Sequence, residues 1–116
     1  MKSQLIKNAQ IVNEGKTQRA DVRITNQFIE CIAPNITPSE NDDVIYAQGA
    51  YLLPGMIDDQ VHFREPGLTH KGSILTESRA AVAGGITSYM EMPNVNPSTT
   101  NKAALEEKYA IAEQHS

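Results

Sequence analysis

The chain has 116 residues, with 10 Lys and Arg against 14 Asp and Glu, a formal charge of -4 and 40% hydrophobic residues. That length suits an ordinary domain with a modest core, and it excludes a complete (β/α)8 barrel, which takes about 250 residues and rarely fewer than about 200. Scattered cations and mild acidity argue against a basic nucleic-acid-binding face; no stretch reaches the roughly 20 apolar residues of a membrane helix, and Met1 to Asn8 reads as too short and polar for the apolar run of a secretory leader, so none is expected.

In chain order, the first fifty residues read as short strands divided by turn residues. Gln4 to Ala9 and Gln10 to Asn13 alternate or run apolar, and Asn13-Glu14-Gly15-Lys16 supplies a turn. Asp21 to Thr25 alternates at period two, and Asn26-Gln27 turns the chain into Phe28 to Ile32. These strands predict an antiparallel β unit. Pro34 to Asp43 reads as a loop, followed by strands at Val44 to Ala47 and Tyr51 to Leu53.

Pro54-Gly55 punctuates the chain, and the pattern then changes to strand alternating with helix. Met56 to Phe63 is a strand. Gly72 or Ser73 precedes a helix over Ile74 to Ala83, stopped by Gly84-Gly85. Ile86 to Met92 is a second strand closed by Pro93, and Thr100 or Asn101 caps a helix with Ala104, Leu105, Lys108, Tyr109 and Ala112 on one face. Two strand-to-helix units in succession imply parallel strands, whose faces both need cover. Two helices cover little, so the second half reads as the opening of something larger. Met1 is taken as initiator and Met56, Met90 and Met92 as core.

The chemistry concentrates in Ile57-Asp58-Asp59-Gln60-Val61-His62-Phe63-Arg64-Glu65-Pro66-Gly67. Residues two apart in a strand share a face, so Gln60, His62 and Arg64 project together, and Val61 and Phe63 project oppositely toward the covering helices. That polar row suits a pocket mouth. For an isolated histidine on a strand, the plainer reading is an interior histidine with a hydrogen-bond partner and an arginine at a solvated strand end, since His is a ligand only where partners converge. Asn94 follows the second strand at its carboxyl end, where it is either functional or a turn former. His70 reads as an exposed loop residue and His115 as a disordered chain end. Gly84-Gly85 lacks the Lys and Ser/Thr of a phosphate loop and is better read as a helix stop. With Cys31 the only cysteine, neither an internal disulfide nor a Cys-based zinc site is available, and a cytoplasmic protein is expected.

Pro54-Gly55-Met56-Ile57-Asp58, Val61 to Gly67, Gly84-Gly85-Ile86-Thr87 and Met92-Pro93-Asn94 resemble, in order and spacing, the start of dihydroorotases of the amidohydrolase superfamily. The resemblance implies an α/β fold: the start of a (β/α)8 TIM-like barrel at 54–116, preceded at 1–53 by a small antiparallel β half-sandwich. It implies reversible interconversion of N-carbamoyl-L-aspartate and (S)-dihydroorotate by metal-bound hydroxide, in pyrimidine biosynthesis, with one or two zinc ions. His62 matches the second His of the family's Asp-x-His-x-His metal motif. Asp58 matches its leading Asp, a supporting group, while Asp59 is a bystander.

Gln60 stands where the family has the first His. An amide oxygen is a neutral and weaker zinc ligand than imidazole, so ligation by Gln60, a single-metal site and loss of metal all stay open. Arg64 has the planar fork that matches the substrate carboxylate, and the resemblance implies that Asn94 shares in binding it. No catalytic residue falls within the chain, because the proton shuttle and remaining ligands belong to later strands. The chain is therefore expected to be an incomplete portion, inactive alone, with two of about eight barrel units and uncovered, sticky apolar faces. A hydantoinase or allantoinase, and a non-catalytic dihydroorotase-like subunit that supports aspartate transcarbamoylase, are the alternatives. The expected partners are the small-molecule substrate and a homo-oligomer or aspartate transcarbamoylase, with no nucleic acid and no membrane.

Overall fold

The computed structural model describes residues 2–116, which divide between Pro54 and Gly55 into two units, each with its own sheet. Met1 lies outside the described residues. In the first unit, strands β1 (Ser3–Asn13) and β2 (Lys16–Thr25) form a long antiparallel hairpin through Glu14-Gly15, and β3 (Phe28–Ala33) pairs antiparallel with β2. The two short strands expected at 4–9 and 10–13 are one. An irregularity between Ile6 and Ala9, with Asn8 at φ 60°, bends β1 without ending it.

The sheet is mixed, which corrects the antiparallel expectation. Strands β4 (Asp42–Tyr46) and β5 (Tyr51–Leu52) both run parallel to β1, and the order is β3-β2-β1-β4 with β5 also on β1. The reason is the segment between β3 and β4, which returns the chain to the start of β1. Such a crossover, unlike a hairpin, makes the next strand parallel. Ile36 in this segment is buried, and Ala9, Ile11, Ala20 and Val22 form the core with Ile6, Ile24, Ala47 and Leu52 packed on it.

The second unit runs β6 (Met56–Val61), α1 (Ile74–Ala83), β7 (Ile86–Glu91) and α2 (Lys102–His115), with β6 and β7 parallel. Val61, Phe63 and Ile74 make its buried cluster, with Ala81, Tyr89, Ile111 and Ala112 against it. The Phe63 and Tyr89 rings meet with centroids 4.5 Å apart, tilted by 53°. Ser73 caps α1 in a capping box with Thr76, and Asn101 Oδ1 caps α2 by accepting the Ala104 N–H at 3.0 Å. Gly84-Gly85 does end α1, with Gly85 at φ 89°, a left-handed position that suits glycine.

Four details differ from the sequence reading. Strand β6 stops at Val61 rather than Phe63, and β7 at Glu91 rather than Met92. His115 is the last helical residue of α2 rather than a disordered end. Met56 and Met90 are about three-fifths exposed rather than core. On α2, Leu105, Lys108, Tyr109 and Ala112 line one cleft together with Ile74, Tyr89 and Glu91, Lys108 being buried and Leu105 and Tyr109 exposed at its rim. Among the described residues no helix is long and apolar enough to cross a membrane.

Two carboxylates pin the crossover of the first unit. Asp21 is buried, and its oxygens accept from the Lys7 ammonium (2.7 Å), the Asn8 N–H (2.7 Å) and the Ile36 N–H (2.9 Å). Asp42 accepts from Arg23 through two nitrogens (3.1 and 2.8 Å), from the Ser3 hydroxyl (2.6 Å) and from the Ser39 N–H (2.7 Å). Burial alone would push the Asp21 carboxyl up; Lys7 and the two N–H groups outweigh it and bring it down to about 2 from 3.8. The Arg23 hydrogen bond, with Ser3 and Ser39, holds Asp42 well below the usual carboxylate range. Groups whose folded pKa is depressed contribute stability at pH above the unfolded value, and that contribution is lost as pH falls through the folded one. The urea midpoint of this chain is therefore expected to be steady above about pH 5 and to fall between about pH 4 and 2. Asp21→Asn should lower the midpoint at pH 6 and flatten its acid limb, and an unchanged acid limb would contradict the assignment.

Candidate functional site

The candidate site is built where the two parallel strands of the second unit end. The last ladder pairing is Val61 with Glu91, and the Met92 N–H then donates to the Val61 carbonyl at 2.9 Å. Beyond that point side chains take over from backbone. The Phe63 N–H donates to Glu91 Oε1 at 3.0 Å, which is why β6 ends two residues early. Val61 and Phe63 are buried and His62 between them is exposed, so the period-two reading holds across these three.

His62 and Asn94 meet. Nδ1 of His62 lies 2.9 Å from Oδ1 of Asn94, across 32 residues of sequence. An amide oxygen can only accept, so Nδ1 carries the hydrogen and donates it, which leaves the lone pair of the neutral ring on Nε2. The Asn94 amide keeps its NH2 group for another acceptor.

Gln60 and Arg64 are not drawn into this contact. Gln60 is exposed on β6, with its backbone N–H donating to Asp58 Oδ1 at 3.0 Å, so Asp58 braces the strand locally. Arg64 is half-buried and has φ 71°, a left-handed conformation that is uncommon for a residue with a side chain. The strict alternation that would align Arg64 with Gln60 and His62 is broken there. Among the described residues no partner holds the Arg64 guanidinium.

The loops beyond are tied to one another. The Asn96 N–H donates to the Pro66 carbonyl at 3.2 Å, and the Glu65 carboxylate accepts the Ile74 N–H at 2.9 Å, at the start of α1. Gly67 sits at φ 79°, and a Cβ there would lie 1.8 Å from the Asn96 carbonyl oxygen. Glu65-Pro66-Gly67 therefore shapes the loop, as its sequence suggests.

Sequence reasoning missed a pair beneath the site. The Glu91 carboxylate also accepts from the Lys108 ammonium, which donates in addition to the Met92 carbonyl at 2.9 Å, and each side chain is only 8% exposed. The available signal was a carboxylate inside the apolar run Tyr89-Met90-Glu91-Met92 and a lysine on the inward face of a helix. One such charge is commonplace; two that can meet are a buried pair.

Among the described residues no three His, Cys, Asp or Glu side chains converge as metal ligands. A zinc centre takes three or four protein ligands. His62, with its free Nε2, can supply one ligand to such a centre and does not complete one, while Gln60 stands exposed two residues before it.

A family model described as dihydro-orotase-like matches residues 49–114. The chain belongs to the dihydroorotase-like family. It is 44% identical over 93 residues to the dihydroorotase of Staphylococcus aureus strain N315, covering 80% of this chain and 22% of that protein. It is 41% identical over 111 residues to that of Methanosarcina acetivorans, covering 96% and 24%. Among solved structures, L-hydantoinase (dihydropyrimidinase) from Arthrobacter aurescens superposes with a TM-score of 0.90 at 30% identity, over 98% of this chain and 26% of that one. The chain thus spans about a quarter of its relatives and aligns with the amino-terminal β unit and the start of the next domain.

Gly67→Ala tests the loop contact. It should destabilise the chain by more than about 1 kcal/mol, because a positive φ and a backbone clash act together, and a melting temperature equal to that of the parent would show that the two loops are not in contact.

Proposed function

We propose that the chain is the amino-terminal part of a dihydroorotase, a cyclic amidohydrolase that interconverts N-carbamoyl-L-aspartate and (S)-dihydroorotate. In this reading 54–116 forms the first two units of a (β/α)8 barrel and 1–53 belongs to a β-sandwich. The observation that carries it is the His62–Asn94 hydrogen bond, which brings two separately matched motifs together at the carboxyl ends of adjacent parallel strands. Barrel enzymes place their chemistry at that end.

The residues then have distinct jobs. Arg64, unpartnered and planar, binds the ring carboxylate through two parallel N–H donors. The Asn94 NH2 group donates to the same carboxylate while its oxygen holds His62. His62 through Nε2, and Gln60 through its amide oxygen, would be this chain's share of the ligands for one or two zinc ions, with Asp58 supporting the strand. Zinc acts as a Lewis acid on a carbonyl and makes bound water more acidic. The chain by itself is expected to be inactive.

Two observations favour other readings. The close superposition on L-hydantoinase favours a cyclic amidase for substrates without the carboxylate. Gln60, standing in the sequence where the family's metal motif has His, favours a non-catalytic subunit that supports aspartate transcarbamoylase. The full-length protein decides among them by turnover and zinc content. Faster turnover of hydantoin than of dihydroorotate would sink the dihydroorotase reading, and an absence of both zinc and turnover, restored by Gln60→His, would favour the non-catalytic one. In the active enzyme, Arg64→Met should raise KM for dihydroorotate about 10- to 100-fold, the loss of a charge-assisted pair.

A further inference from the structure

Resting on the reading of His62 and Asn94 as site residues, we propose that Glu91 and Lys108 are positioning residues that set the distance between them. The two carboxylate oxygens of Glu91 do different work. Oε1 accepts the N–H of Phe63, the neighbour of His62, and Oε2 accepts from Lys108, which also grips the carbonyl of Met92, two residues before Asn94. One buried pair therefore holds the backbone just after His62 and the backbone two residues before Asn94. The ladder between β6 and β7 has ended at Val61 and Glu91, one backbone bond from the Met92 N–H to the Val61 carbonyl follows it, and the Pro66–Asn96 hydrogen bond lies further out, so between these the Glu91 and Lys108 bonds supply the side-chain ties.

Stability alone does not account for charges here. Removing a carboxylate and an ammonium from water costs about as much as their attraction returns, and an apolar pair of the same volume often stabilises as well or better. An apolar pair would, however, leave the Phe63 N–H and the Met92 carbonyl without these partners. What the charges add is direction: they attach helix α2 to two specific backbone groups on adjacent strands.

The test reads His62 directly in the chain labelled with nitrogen-15, without metal or substrate, at pH 8, above the ordinary imidazole range. The parent should show His62 with its hydrogen on Nδ1, and Asn94→Ala should abolish that signature. Lys108→Met should abolish it too, Glu91→Gln should reduce it by at least half, and Lys108→Arg should retain it. If Lys108→Met does not fold, Glu91→Gln, which keeps the side-chain shape and an acceptor for Phe63, carries the test. A folded Lys108→Met or Glu91→Gln chain that melts earlier yet keeps the full His62 signature would overturn the proposal and leave the pair a stabilising role only. A parent without the Nδ1 signature would overturn it as well. Because neither metal nor turnover enters the measurement, failure of the dihydroorotase assay leaves this outcome standing, and failure here leaves the assay untouched.

Discussion

The second unit depends on one buried ion pair. Glu91 ends strand β7 and Lys108 sits in the middle of α2, and their contact, with each side chain about nine-tenths buried, joins the sheet to the helix that covers it. Breaking such a pair from one side leaves a charge without a partner in a poorly solvated place, which typically costs about 3–5 kcal/mol. The apolar cluster of Val61, Phe63 and Ile74 supplies the burial around it, but burial has no direction. The ion pair and its two backbone bonds supply that direction, and His62 and Asn94 meet in the frame they set.

The first unit follows a similar logic with different residues. Its crossover between β3 and β4 contributes one buried apolar side chain, Ile36, which is little for a segment of that length. Asp21 and Asp42 hold it through N–H, hydroxyl, ammonium and guanidinium donors. In both units a carboxylate with several donors fixes a connection that apolar packing leaves loose.

Much of this was legible in residue order. The boundaries of α1, caps narrowed to Gly72 or Ser73 and to Thr100 or Asn101, the stop at Gly84-Gly85 and the inward turn of Val61 and Phe63 all follow from local chemistry, and the structure selects Ser73 and Asn101. The four motifs around Asp58, His62, Gly84 and Asn94 carry the family resemblance, which the comparisons bear out. The reading went astray where a partner distant in sequence decides. Strand β4 runs parallel to β1 because of where the crossover lands; β6 stops early because a side chain takes the Phe63 N–H; Arg64 leaves the strand alternation through a left-handed backbone.

Length remains informative at the end. With 116 residues the chain cannot hold a whole barrel, and it spans about a quarter of its dihydroorotase relatives. Sequence by itself determined the alternation of elements, their caps and the identity of the site candidates, because periodicity, capping and motif chemistry are local. Only the tertiary structure decided that the sheet is mixed, that His62 donates to Asn94, and that Glu91 and Lys108 lie beneath them as a buried pair. Those features require groups 17 to 41 residues apart to meet, and no local preference encodes which of many possible meetings lowers the free energy most.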